Sequence, residues 1–197
     1  MGADYRALDL PLQLRNWRKC GLRFILASKA GQELEDSSAN ECPGLQLPEP
    51  WHRVWSNISS LRCPLIWTYF ELGPDLLEPT HNQRLELFSK ICGQLEIPNQ
   101  WIAFWPLAEK GSRDINPRAE IFWQGVAWIK PSYLAVFGQK AMQVLYPDKA
   151  GQYGFYLHLN PAVLYLPGPE DMLPDNRQAK AFVWQMLLKL QKKILQG

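Results

Sequence analysis

The sequence predicts an α/β fold: a three-layer α/β/α arrangement with a central, mainly parallel sheet. Three observations lead there. Short apolar runs at 65–70, 101–105 and Tyr133–Phe137 read as strands buried on both faces. Stretches with apolar residues at helical spacing separate them, and such alternation implies crossover connections and a parallel sheet. Gly- and Pro-containing breaks fall between the runs rather than inside them.

Taken in order, residues 1–21 form a segment with Leu8, Leu10, Leu12, Leu14 and Trp17, in which Pro11 interrupts any long helix. A strand is expected over 22–28. Residues 29–50 are rich in Gly, Ser, Glu and Pro, lack periodicity and read as a loop excursion. Residues 51–61 suit a helix with Trp51, Val54, Trp55 and Ile58 on one face. After the strand at 65–70, Glu71 to Asp75 reads as a turn, and 82–95 as a helix through Leu85, Phe88, Ile91, Cys92 and Leu95. The strand at 101–105 leads to a polar loop at 109–117 and a helix at 119–130 that stops before Pro131. Gly138 then separates the Tyr133–Phe137 strand from a helix at Gln139–Leu145. Strands are expected at 155–159 and 163–166. The last helix carries a stripe of Ala179, Phe182, Val183, Met186, Leu187, Leu190 and Ile194, with Lys180, Lys189, Lys192 and Lys193 mostly outside it. The whole is read as an N-terminal interaction segment, 1–21, and one α/β domain, 22–197.

Composition narrows the function classes. The chain has 197 residues, 47% hydrophobic and 20% charged, a globular profile. Its 21 basic and 19 acidic residues leave a net charge of +2, too little to demand a nucleic-acid partner. No apolar run approaches the roughly 20 residues that cross a bilayer, and the start lacks signal-peptide character. A cytoplasmic protein without a membrane partner is expected. Cys20, Cys42, Cys63 and Cys92 form no CxxC pair, so no metal or cofactor is expected. Nine tryptophans read as core packing and interface rather than as a base-stacking surface.

Three passages carry a family resemblance. The run from Ile129 to Ala141, IKPSYLAVFGQKA, resembles a passage of bacterial uracil-DNA glycosylases of the iron–sulfur type. The stretch Val163-Leu164-Tyr165-Leu166-Pro167-Gly168, followed by 176–184, resembles their final strand, histidine motif and closing helix. Phe70-Glu71-Leu72-Gly73-Pro74 stands where they have a Gly- and Pro-containing turn. The resemblance implies a uracil-DNA glycosylase-like fold over about 60–195. It also implies a site of an acidic or polar group in the first turn, an asparagine that reads uracil, and a histidine that stabilises the departing anion. Here the histidine position is Leu166, followed by Pro167 and Gly168, and leucine can neither donate a proton nor hold an oxyanion. The asparagine position falls near Gln100 and Trp101. Glu71 alone matches an acidic group, and the close cysteine pair of an iron–sulfur site is absent. The expected superfamily site, Glu71, Gly73, Pro74, Leu166, Pro167 and Gly168, is therefore degenerate, with no catalytic residue assigned.

A non-catalytic member of this superfamily, the psi-subunit family of bacterial DNA polymerase III, resembles the chain further. The likeness lies in the pattern over 65–105, in Leu166-Pro167-Gly168-Pro169 with 176–185, and in the N-terminal run Leu12-Gln13-Leu14-Arg15-Asn16-Trp17. It implies an adaptor that bridges a clamp loader and a chi-like subunit, with any contact to DNA indirect. Leu8, Leu12, Leu14 and Trp17 would then be the partner-binding side chains, a helix-in-groove ligand anchored by Trp. Packing of the same residues onto the domain stands as the other reading. Two further functions are carried: a glycosylase or nucleobase hydrolase with a rearranged Glu71–His158 site, and a DNA-binding module using exposed tryptophans.

Overall fold

The computed structural model describes residues 47–58, 63–80, 82–149 and 151–196. The expected strand at 22–28, most of the 29–50 excursion and the partner-binding residues Leu8, Leu12, Leu14 and Trp17 lie outside them.

The elements run in the order α1 (Trp51–Ile58), β1 (Leu65–Tyr69), α2 (Leu72–Leu77), α3 (Gln83–Gln94), β2 (Ile102–Phe104), β3 (Ala108–Lys110), β4 (Ile115–Pro117), α4 (Ala119–Ile129), β5 (Tyr133–Phe137), α5 (Gln139–Leu145), β6 (Gly154–Tyr156), β7 (Ala162–Leu166), α6 (Pro169–Met172) and α7 (Arg177–Gln196). One five-stranded sheet has the order β2-β1-β5-β7-β6. Four strands are parallel, with Leu65 opposite Ile102 and Tyr133, and Tyr133 opposite Ala162. The edge strand β6 is antiparallel to β7, which makes the sheet mainly parallel as expected.

Burial on both faces follows from the strand sequences. Leu65, Trp67 and Tyr69 point to one side with Phe104, Phe137 and Leu164, where α2, α3 and α7 cover them. Ile66, Ala103, Leu134, Val136 and Val163 point to the other, against α1, α4 and α5. Helices thus lie on both faces, an arrangement compatible with three layers. On the first side Phe88 of α3 meets Trp67, Tyr69, Phe104 and Phe137, all within 6.2 Å between ring centroids. Truncating a ring so placed costs about 3–5 kcal/mol. On the second side Trp55 packs on Trp105 and Trp128, and the Trp105 indole N–H donates to the Phe122 carbonyl at 3.1 Å. Gly125 makes this possible, because a Cβ there would lie 2.1 Å from the Trp105 ring.

Several expectations are corrected. Glu71 to Asp75 is not a turn: Glu71 precedes helix α2, and Pro74 falls in its first turn, where a missing N–H costs nothing. The polar stretch 109–117 is not a loop but the greater part of a hairpin, β3 with β4, which closes Gly111 N–H onto the Asp114 carbonyl at 2.8 Å. The strand expected at 155–159 is shorter, so His158 lies in the turn after β6 rather than on a strand. Helix α6 has no counterpart in the sequence reading. Phe182, counted in the buried stripe of the last helix, is 37% exposed. The helix expected over 82–95 is present as α3, started by Asn82, whose side chain accepts from the Arg84 and Leu85 N–H groups. Lys130, left-handed at φ 52°, ends α4 before Pro131. No helix among the described residues is long and apolar enough to cross a membrane.

Candidate functional site

In a parallel sheet of this order, connections leave β1 toward β2 on one side and β5 toward β7 on the other. The crevice between the carboxyl ends of β1 and β5 is where such sheets bind ligands. A cleft of about 660 Å³ opens beside it. The β1–α2 connection supplies Phe70, Glu71 and Pro74, helices α2 and α3 supply Asp75 and Arg84, and α5 supplies Lys140. The β3–β4 hairpin forms the facing wall with Lys110, Arg113 and Asp114.

Glu71 occupies the N-cap position of α2 but makes no side-chain cap. Its carboxylate, largely buried, faces the Lys140 ammonium at 3.5 Å. Lys140 also stands 5.8 Å over the Phe70 ring. Asp75, 3% exposed, receives the Arg84 guanidinium on both oxygens and the Tyr69 hydroxyl at 2.8 Å. A carboxylate this buried needs such a set of donors. Burial, followed by the Asp75 charge, pushes the Tyr69 phenol well above its usual range. The hydrogen bond to Asp75 holds the Arg84 guanidinium firmly charged. Across the rim Lys110 pairs with Glu78. Among the described residues Arg113 has no carboxylate partner.

The other positions to which the resemblance pointed are placed as follows. Gly73 is a packing residue: a Cβ there would lie 1.9 Å from the Ala108 carbonyl, so α2 and the hairpin approach only through glycine. Leu166 is fully buried in the core, and its carbonyl accepts from the Gly138 N–H at 2.9 Å, tying the ends of β7 and β5. Pro167 and Gly168 are buried behind it. Gly138, at φ 88°, and Gly168 leave room for the Glu170 carboxylate, which lies against the positions their Cβ atoms would take. Partial burial, then the neighbouring Glu71 and Asp171 charges, pushes the Glu170 carboxyl above its usual range. The structure therefore gathers Glu71, Lys140, Gly138, Gly168 and Glu170 at one end of the sheet.

His158 is elsewhere. β6 runs antiparallel to β7, so the turn after Tyr156 lies at the amino end of β7, a strand length from Glu71. Five residues of strand separate the two ends by about 16 Å. His158 instead meets the Lys149 ammonium at 3.3 Å, and a joint Glu71–His158 site is not assembled. Nor do the described tryptophans form a stacking surface: Trp51, Trp67 and Trp105 are buried, and Trp55, Trp101, Trp123, Trp128 and Trp184 are partly so. Among the described residues no three His, Cys, Asp or Glu side chains converge to hold a metal. Burial raises the Cys63 thiol to about 11, away from the range of a thiolate nucleophile.

The sequence reading missed Asp75, Arg84 and Lys140 as members of the site. Asp75 shares a face with Leu72 and Leu76 only because α2 is a helix, and Gly73 and Pro74, which spell a turn in the sequence, conceal it. No protein-family model matches this chain, and no curated protein matches it.

Proposed function

We propose that the chain is a non-catalytic adaptor of psi-subunit type, a uracil-DNA glycosylase-like body that bridges a clamp loader and a chi-like protein in DNA replication. The observation that carries this reading is Leu166. It stands where the resemblance puts the catalytic histidine, and its side chain is enclosed in the core, with no group to move a proton. The nearby charges support the same reading, because Lys140 with Glu71 and Arg84 with Asp75 satisfy one another rather than aim at a ligand. The mainly parallel sheet agrees with the fold that the resemblance implies.

The test is a pull-down of the full chain with purified clamp-loader and chi-like proteins. Binding to both, with clamp-loader binding lost in Trp17→Ala, is the expected result. Absence of binding to either sinks the adaptor.

A second reading, a glycosylase or nucleobase hydrolase with a divergent site, is favoured by the cleft's position beside the switch point. It rests on Glu71 without His158. Base excision above background, abolished in Glu71→Gln, would establish it.

A further inference from the structure

Helix α7 carries five basic residues, Arg177, Lys180, Lys189, Lys192 and Lys193, and no carboxylate, in a chain whose net charge is only +2. Asp175 takes up the first two, at 3.7 Å from Arg177 and 3.0 Å from Lys180. Lys189, Lys192 and Lys193 are exposed, and none has a carboxylate partner among the described residues. Glu96, which approaches this half of the helix, is engaged by the Gln191 amide at 3.1 Å. Helix polarity accounts for lysines in the last turn, but the effect fades within a turn and does not reach Lys189.

Helix polarity also leaves the neighbouring rings unexplained. Strand β6, with Tyr153 just before it, lies alongside α7, with Lys193 5.9 Å over the Phe155 ring and Tyr153 6.1 Å from Phe182. Tyr153 and Phe182 are 41% and 37% exposed, two of the few large apolar side chains presented to solvent among the described residues. Tyr153 is held from behind, by its hydroxyl bond to Asp171 at 3.2 Å and by the Tyr165 ring at 4.7 Å. A ring fixed in this way loses little freedom when something stacks on it.

We propose that the strip shared by β6 and α7 binds single-stranded nucleic acid, with Lys189, Lys192 and Lys193 meeting phosphates and Tyr153 and Phe182 stacking on bases. Lysines beside exposed rings are the elements of a strand-tracking surface that reads no sequence. An acidic protein partner is the less suited occupant, because lysine is depleted at protein interface cores, where arginine is enriched. The inference is independent of the adaptor reading, since it uses neither the cleft nor the N-terminal segment.

The test is fluorescence anisotropy of a labelled oligothymidine of about 20 nucleotides with the full chain, over a salt series. Each phosphate contact contributes about −0.7 to the slope of log affinity against log salt. The K189A/K192A/K193A variant is expected to make that slope shallower by about 2, and K189A/K192A, which leaves Lys193 over Phe155, by about 1.4. Phe182→Ala is expected to lose roughly five- to a hundredfold in affinity with the slope unchanged. No saturable binding at low salt overturns the proposal, as does a slope the lysine variants leave unaltered. Equal competition by poly-glutamate overturns it in favour of an acidic protein partner.

Discussion

Tyr69 and Arg84 donate to the same oxygen of Asp75, at 2.8 and 2.7 Å, so a strand end and a separate helix are joined through one buried carboxylate. Removing the cation leaves that carboxylate poorly compensated. Arg84 is itself 39% exposed, so solvent screens part of the pair and the cost of Arg84→Met is expected at the low end of the buried range, about 3 kcal/mol. Tyr69→Phe removes one hydrogen bond to a charged group and is expected to cost about 1.5–3 kcal/mol. Urea unfolding midpoints measure both. If Arg84→Met shifts the midpoint no further than Lys110→Met at the rim, the pair does not hold these elements together.

Two glycines should respond to alanine with opposite signs. Gly73→Ala drives a Cβ into the Ala108 carbonyl and is expected to destabilise by about 1–3 kcal/mol as the hairpin is pushed from α2. Gly93, exposed in α3, has nothing within 4 Å of its would-be Cβ. Gly93→Ala is expected to stabilise by about 0.4–1 kcal/mol. Thermal unfolding of both separates the packing glycine from the incidental one.

Thr68 is fully buried in β1, and its hydroxyl has no hydrogen-bond partner among the described residues. Valine fills nearly the same space without an orphaned polar atom. Thr68→Val is therefore expected to raise stability by about 1–3 kcal/mol. A lower melting temperature in the variant would show that the hydroxyl is satisfied.

Glu170 gives stability a pH dependence of defined sign. Its folded-state pKa is raised above the ordinary 4.5, so the folded protein holds this proton more tightly than the unfolded chain. The contribution is complete below the ordinary value and is lost as pH rises through the raised one. Glu170→Gln is expected to flatten this part of the melting-temperature profile and to melt above the wild type at neutral pH. Parallel profiles for the two proteins would refute the assignment.

Much of the sheet is legible in the sequence because its strands are uninterrupted apolar runs with sharp boundaries. Tyr133–Phe137 lies between Pro131 and Gly138, and both the strand and the following helix Gln139–Leu145 fall where that pattern puts them. Helix α2 is hidden because Gly73 and Pro74 spell a turn locally, while packing against Ala108 settles it as a helix. The β3–β4 hairpin is hidden because its strands are three residues long and polar, below the length at which alternation can be read. Glu71 and Gly168 enter only through the family resemblance, and nothing in the sequence marks Arg84 or Lys140 as lying near them. Lys140 is 69 residues from Glu71 in the chain, and only the order of the strands brings the two together.

Among the described residues the outermost strands of the sheet, β2 and β6, are three residues each, against five for β1, β5 and β7. β6 also reverses direction, and Gly154 opens it at φ 153°. Along these two described strands a second polypeptide would find few unpaired backbone groups, too short a template to nucleate intermolecular pairing. The apolar strands that make this sheet stable are the same segments that would seed fibrils if uncovered, and these brief borders keep them from growing across molecules.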